Sequence, residues 1–114
     1  MISYIEQLYS AVTTTTGNSS ATPVIVKHGK EATIYLDITA VSGTNPTLDL
    51  IIKIQDSLST KWHTLATFDQ KTSTGTDVGY IEYAIGEKMA LFYTIGGTNT
   101  PTFTFSVNVG IKER

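Results

Sequence analysis

The sequence predicts an all-β fold, an antiparallel β-sandwich of immunoglobulin-like or jelly-roll-like type, with about seven strands and a flexible N-terminal arm. Several segments alternate apolar and polar residues with the period of two that a half-buried strand requires. Threonine occupies 20 of the 114 positions, and its β-branched polar side chain suits strand faces in contact with water. No stretch after residue 24 has helical periodicity, so a sandwich is the expected architecture.

Residues 1–23 are predicted to be an arm or linker that precedes the sandwich domain of residues 24–114. The start of the chain has an apolar spacing that fits one helical face or an irregular strand. Residues 13–23 are small and polar, without apolar anchors. Such a segment either orders on a partner's sheet edge or is a frayed terminus without a role. Its candidate contact residues are Ile2, Tyr4, Ile5, Leu8, Tyr9 and Val12.

The sandwich domain divides into strands separated by polar turns. In order, the predicted strands are residues 24–27, 31–41, 47–55, 61–68, 80–85, 89–95 and 102–111. Two stacked sheets would hide a shared set of large apolar side chains between them. The expected members of this core are Leu50, Ile52, Trp62, Leu91, Phe103, Phe105 and Val107.

Two stretches of the chain are nearly the same, "VSGTNPTLDL" at residues 41–50 and "IGGTNTPTFTF" at residues 95–105. Each is interpreted as a corner in which glycine and asparagine supply unusual backbone angles and proline precedes an alternating strand. Strand counting places both corners and the loop of residues 69–79 at the same end of the sandwich. The second corner is expected to be one residue wider, because Thr100 is inserted there. The candidate polar rim at this end consists of Thr44, Asn45, Thr98, Asn99 and Thr100.

The composition argues against several classes of partner and of chemistry. The net charge of −2 provides no basic surface for nucleic acid. No apolar run approaches the length of a transmembrane helix, and "MISYIEQLYSAV" lacks the basic start of a signal peptide. Cysteine is absent, which removes disulfides, thiolate metal sites and cysteine catalysis. We therefore expect no nucleic-acid partner and no membrane partner.

A search for catalytic and metal-binding patterns indicates a protein that is not an enzyme. The two histidines, His28 and His63, have no triad partners in the sequence pattern, and without cysteine they do not supply the three or four ligands that a zinc site needs. The loop "DQKTSTGTD" has two aspartates but not the spacing of a calcium loop, so a solvated loop is favoured. No nucleotide-binding fingerprint is present. The expectation is no catalytic residue, no cofactor and no metal.

The aromatic residues allow two interpretations. They could form a platform that stacks against sugar rings, or they could be core and cross-strand packing, which is favoured in a sandwich of this size. The residues concerned are Trp62, Phe68, Tyr80, Tyr83, Phe92 and Tyr93. Tyr35 faces outward by alternation and is the best candidate for an exposed aromatic contact.

Four segments resemble a family of small virion proteins of tailed bacteriophages. In that family a "TAVSGTxPTLDV" stretch leads to a "DGxxW" hairpin and a phenylalanine, and a "GGTxPSFTFSV" stretch closes the domain. The matching positions are Thr39–Asp49, Asp56–Trp62, Phe68 and Gly96–Val107. The hairpin here is "DSLSTKW", without the glycine that follows the aspartate in the family, so its turn is expected to be longer or differently shaped.

The resemblance implies a non-enzymatic head decoration (cementing) protein. It would be made in the host cytoplasm, bind the major capsid protein on the capsid exterior, and associate with itself as a homotrimer in some cases. A minor tail or head–tail component is an alternative within the same class. A second alternative is a receptor- or glycan-binding β-sandwich module, because three threonine-rich loops are expected to converge at one end.

Overall fold

The computed structural model describes residues 4–25, 29–56, 58–81 and 88–113. Within these ranges the chain forms strands and turns without a helix, and no segment could cross a membrane as a long apolar helix. The strands are β1 (Tyr4–Thr13), β2 (Gly17–Asn18), β3 (Val24–Ile25), β4 (Gly29–Gln55), β5 (Trp62–Thr67), β6 (Gly75–Ile81) and β7 (Lys88–Glu113). The predicted all-β antiparallel sandwich is confirmed.

Two very long strands, β4 and β7, form the centre of the sheet and pair with each other along their whole length. Residues 29–42 of β4 pair with residues 102–113 of β7, and residues 47–55 pair with residues 88–96. Four of the predicted strands are therefore halves of these two. Strand counting treated residues 42–47 and 96–101 as turns, but both lie inside continuous strands that bend there.

The bend folds one sheet into two facing layers. One layer contains the first half of β4 and the second half of β7, flanked by β1 and β6. The other layer contains the remaining halves, flanked by β5 on one side and by β2 and β3 on the other. The rings of Tyr93 and Phe105 belong to different halves of β7, yet their centroids are only 5.7 Å apart. Contact between residues twelve positions apart in one strand requires the strand to fold back.

The core lies between the layers and follows the alternation of the sequence. Outside the bend, buried residues alternate with more exposed ones along residues 32–38 and 48–52 of β4 and 103–109 of β7. Leu50, Ile52, Phe103 and Val107 are at 0% exposure. Trp62 was expected in this core, but it is only half-buried. It packs against Phe92, with ring centroids 5.8 Å apart, and Phe92 alternates with the buried Leu91 and Tyr93. Trp62 therefore lies on the outer face of its layer.

The N-terminal segment was expected to be a flexible arm, but its described residues belong to the sheet. β1 pairs with β7 from Tyr4 to Thr13, with one irregularity between Gln7 and Tyr9. β2 and β3 pair with the other half of β7. The reason is side-chain burial: Leu8 is 3% exposed and Val24 8% exposed. A boundary at residue 23 therefore does not separate a free arm from the sandwich.

A buried serine connects β2 with β3. The backbone N–H of Ser19 donates to the Leu91 carbonyl at 2.9 Å, and the Leu91 N–H donates to Ser19 Oγ at 2.9 Å. Ser19 is 4% exposed. These two bonds, and one from the Thr22 N–H to the Ser19 carbonyl at 3.0 Å, satisfy its buried polar groups. Polar residues 13–23 thus join the sheet through hydrogen bonds, between the buried apolar residues Leu8 and Val24.

Candidate functional site

The two similar stretches meet each other at the bend and form a single corner. Thr44 of β4 pairs with Thr98 of β7, and Thr47 pairs with Gly96. The backbone there needs left-handed conformations: φ is 102° at Gly43 and 119° at Gly97. Asn45 has φ of 48° and Asn99 of 58°, which asparagine tolerates better than most residues. The shared glycine–threonine–asparagine sequence thus supplies the same backbone bend in both strands.

The corner is closed by reciprocal contacts between the glycine of one stretch and the proline region of the other. A Cβ atom on Gly43 would lie 2.6 Å from the Cα of Pro101. A Cβ atom on Gly97 would lie 2.8 Å from the Asn45 carbonyl oxygen and 3.0 Å from the Cα of Pro46. Only glycine fits at both positions, because the neighbouring atoms are backbone. This reciprocity explains why the chain contains the stretch twice.

The extra residue of the second stretch is also visible. Thr100 has φ of 52°, directly after Asn99, so the β7 bend contains two consecutive left-handed residues after its glycine. Between Gly43 and Pro46, β4 has one such residue, Asn45. The predicted wider second corner agrees with this difference.

The predicted polar rim is brought together at this corner. All five of its residues are exposed. Asn99 Nδ2 donates to Thr44 Oγ1 at 2.6 Å, and Thr98 Oγ1 lies 3.4 Å from the Thr44 carbonyl oxygen, to which it donates. Several rim groups therefore bond to each other across the strand pair. The rim is a braced polar edge on the outside of the bend.

A cleft lies near the same end of the molecule, between β4 and the loop that leads into β6. Its volume is about 190 Å³. Leu36 and Ile38 are its apolar lining, and the rest of the wall is formed by the consecutive residues 70–77. Two backbone bonds hold the loop to β4: the Leu48 N–H donates to the Lys71 carbonyl at 2.8 Å, and the Lys71 N–H donates to the Leu48 carbonyl at 2.9 Å.

An ion pair forms part of the cleft wall. Lys71 Nζ and Asp77 Oδ2 are 2.5 Å apart, with the two side chains 22% and 39% exposed. Lys71 is attached to the half of β4 in one layer, while Asp77 belongs to β6 in the other, so the pair connects the layers. The hydrogen bond from Lys71, followed by one from the Val78 N–H, lowers the pKa of the Asp77 carboxyl from its usual 3.8.

Sequence reasoning treated the loop of residues 69–79 as a solvated loop and did not identify this cleft. The missing information is tertiary, because the wall depends on Lys71 bonding to Leu48, a residue 23 positions earlier. Gln70 adds a second anchor by donating to both carboxylate oxygens of Asp49 at 3.2 and 3.1 Å. The available signal was the concentration of hydroxyl residues between Lys71 and Asp77.

The candidate contact residues of the N-terminal segment have different environments. Ile5 is 62% exposed, whereas Leu8 belongs to the core. Tyr9 is half-buried, and its hydroxyl lies 2.6 Å from that of Tyr93. Burial, together with this hydrogen bond, raises the pKa of Tyr9 to about 12. Ile2 lies outside the described residues, as do the side chains of Tyr4 and Val12.

The aromatic residues divide between core and surface. Phe68 and Tyr93 are buried, as the packing interpretation expects. Trp62 and Phe92 pack together on an outer face, where Lys53 Nζ lies 4.5 Å from the Phe92 ring centroid. This cation–π contact occupies the ring face that a sugar would need. The remaining three are the exposed Tyr80, which donates to Glu31, the half-buried Tyr35, and Tyr83, which lies outside the described residues.

Within the described ranges, no group of three or more His, Cys, Asp and Glu side chains is placed to hold a metal ion. His63 is exposed, with its Nε2 4.0 Å from Asp56 Oδ2. Asp56 organises the turn between β4 and β5 by accepting from the Leu58 and Ser59 N–H groups. These bonds lower the pKa of Asp56 from its usual value. His28 lies outside the described residues.

Comparisons with known proteins include a likeness to a solved structure. No family model matches the chain, and no curated protein matches it. The fold is similar to that of a solved carbohydrate-binding module from Cellvibrio mixtus lichenase 5A, in complex with cellotriose. The two chains are 12% identical over 99% of this chain and 100% of the other, with a TM-score of 0.46. A likeness at this level does not indicate a ligand for this chain.

Proposed function

We propose that this chain is a non-enzymatic structural protein of a tailed-bacteriophage virion that binds the outer face of the capsid as a head decoration protein. The observation that carries the proposal is that the two longest of the four segments with the family resemblance form one structural unit. Within these segments, residues 40–47 pair with residues 96–104, and the close approaches of Gly43 to Pro101 and of Gly97 to Pro46 require glycine at both positions. The resemblance thus falls on residues that determine the architecture, which supports a relationship to the phage virion proteins.

The shape of the molecule is compatible with attachment to a lattice. Within the described residues, β1 pairs with β7 and ends the strand order on its side. An edge strand has backbone groups that can add to a partner's sheet. Ile5 on this strand is exposed and apolar. Weak contacts at such an edge suffice when many copies bind a symmetric shell, or when three copies associate. The major capsid protein is therefore the partner that we propose.

The test is binding of the full chain to shells assembled from the major capsid protein encoded nearest to its gene. We expect saturable co-sedimentation with a simple ratio of copies to capsid subunits. Ile5→Asp should weaken this binding at least tenfold, because a charge would be buried against the shell. Val78→Asp is the matched control, since Val78 is 59% exposed on the opposite edge strand.

Three results would count against decoration, and a fourth against the β1 edge alone. If the genome region encodes no capsid protein, or if no shell retains the chain, decoration is refuted. If Ile5→Asp and Val78→Asp bind shells equally well, decoration stands but the β1 edge is not the contact. Labelled chain at the tail or neck of intact particles, instead of on the head, would assign it to a minor tail or head–tail component.

The alternative function, a receptor- or glycan-binding module, is favoured by the concave cleft that lies near the polar rim. In this case the end of the sandwich would face a receptor rather than a shell. The triple substitution Thr44→Ala, Asn45→Ala and Asn99→Ala should reduce adsorption of particles to cells if the rim makes the contact. A blank glycan array together with unchanged adsorption would contradict this alternative at the rim.

A further inference from the structure

The rim and the cleft differ in what they offer a small ligand. The rim lies on the outside of the bend, and its side chains bond to one another. The cleft is concave, and small ligands are held in concave sites that surround them on several sides. A second cavity, next to Phe68 and Gly79, has a volume of only about 40 Å³ and could hold little more than water. The cleft is therefore the better candidate of the two cavities.

The lining of the cleft indicates the chemistry of its ligand. Thr72, Ser73 and Thr74 are exposed lining residues, and each hydroxyl can both donate and accept a hydrogen bond. Leu36 and Ile38 form a small apolar floor beneath these hydroxyls, at 2% and 3% exposure. A ligand that matches both has hydroxyl groups on its edge and C–H groups on its face. Saccharide rings have this combination.

The charge of the lining argues for a neutral ligand. Lys71 and Asp77 are the charged lining residues, and they neutralise each other through their ion pair. An anion would have to compete with Asp77 for the ammonium group, and a cation would have to compete with Lys71 for the carboxylate. The charged side chain bonded to this wall from a neighbouring strand, Asp49, accepts from Gln70. Neutral polar ligands meet no uncompensated charge.

The size of the cleft limits the ligand to one ring. Its volume of about 190 Å³ is below the roughly 300 Å³ at which sites for drug-sized molecules begin. We infer that the cleft binds a single neutral saccharide ring, with the hydroxyls of residues 72–74 on the ring's edge and Leu36 and Ile38 against its face. The inference rests on the glycan-binding alternative above, for which it names the site and the ligand class.

The experiment is an amide chemical-shift titration of the ¹⁵N-labelled full chain with the methyl glycosides of glucose, galactose, mannose and N-acetylglucosamine. We expect at least one glycoside to shift the amides of residues 70–77, with a dissociation constant of about 1 mM, as befits a small open site. The double variant Thr72→Val and Thr74→Val should bind about fivefold more weakly or worse, because two hydroxyl partners are lost.

Two matched controls separate the cleft from other surfaces. Thr64→Val removes an exposed hydroxyl from β5, and Thr22→Val removes one from the turn between β2 and β3. Both should retain the affinity of the unmodified chain. The amide spectrum of each variant also reports whether it is folded, so loss of binding is distinguished from loss of structure.

Different failures have different meanings. Shifts at the rim or around Trp62 with none at residues 70–77 would overturn the cleft but leave the glycan-binding alternative in place. Unchanged affinity of the Thr72→Val and Thr74→Val variant would also overturn the cleft. No shift with any of the four glycosides, together with a blank glycan array, would overturn both saccharide binding at the cleft and the glycan-binding alternative. None of these outcomes affects the test of capsid binding.

Discussion

The rim and the cleft are both rich in threonine and lie near the same end of the molecule, but their residues make different contacts. At the rim, two strands pair through the bend, and each glycine is in contact with backbone of the opposite stretch. At the cleft, two backbone bonds to Leu48 hold the loop, and Gly75 has nothing within 4 Å of its Cβ position. The same residue types brace the fold in one place and leave an open surface in the other. Composition alone does not separate these roles.

The largest expected effect compares glycines in the two regions. Gly43→Ala and Gly97→Ala should each lower the free energy of unfolding by about 3–5 kcal/mol, because a left-handed backbone and an overlap with backbone atoms add up. Gly75→Ala should lower it by about 1–2 kcal/mol, since a φ of 146° is strained for alanine but no atom lies within 4 Å of the added Cβ. Urea unfolding of the three variants measures the difference.

Equal losses at the three positions would contradict the braced corner, because only the corner glycines face backbone atoms. The slope of the unfolding curve should stay the same in all three variants, so that the difference reports stability and not a change in the unfolded chain.

A smaller effect is expected from the hydrogen bonds of the rim. Asn99→Ala removes the side chain that donates to Thr44 Oγ1 at 2.6 Å and also the asparagine that tolerates φ of 58°. The expected loss is about 1–2 kcal/mol. Asn99→Gly removes the bond but relieves the backbone, so it should cost less than Asn99→Ala. A larger loss for glycine than for alanine would show that the left-handed backbone at this position does not determine the loss of stability.

The alternation of the sequence predicted the faces of β4 and β7 but not the continuity of either strand. Leu50, Phe103 and Val107 are buried as expected, because a period of two determines which side chains share a face. The bends were interpreted as turns, because glycine, asparagine and proline are typical of both. What distinguishes a bend from a turn is the pairing of Thr44 with Thr98, and one strand's sequence contains no information about its partner's register.

The remaining differences also come from long-range contacts. Residues 13–23 looked like a linker because they lack apolar anchors, but Ser19 joins the sheet through two bonds to Leu91. Trp62 was placed inside by its size, but its ring packs on Phe92 on an outer face. The predicted rim residues do lie together, because the two bends pair with each other. The cleft required knowledge that Lys71 bonds to Leu48.

The smallest effect concerns the ion pair in the cleft wall and its dependence on pH. Lys71→Met removes the donor that lowers the pKa of Asp77, so this pKa should rise towards 3.8 in a carboxyl NMR titration. A carboxyl group whose pKa is lowered by folding contributes its full stabilisation at pH values above its pKa in the unfolded chain. This contribution is lost as the pH falls through its pKa in the folded protein. At pH 7, Lys71→Met should lower the free energy of unfolding by at most about 1 kcal/mol, because the ion pair is partly exposed. This difference in stability between the variant and the unmodified chain should shrink below pH 3.8.

Lys53→Met is the control, since Lys53 lies against Phe92 on an outer face and the substitution should leave the Asp77 titration unchanged. A stability difference that persists undiminished in acid would show that Lys71 acts through packing of its side chain and not through the charge of Asp77. In that case the cleft wall would resemble the rim, where contacts and not charge determine the structure.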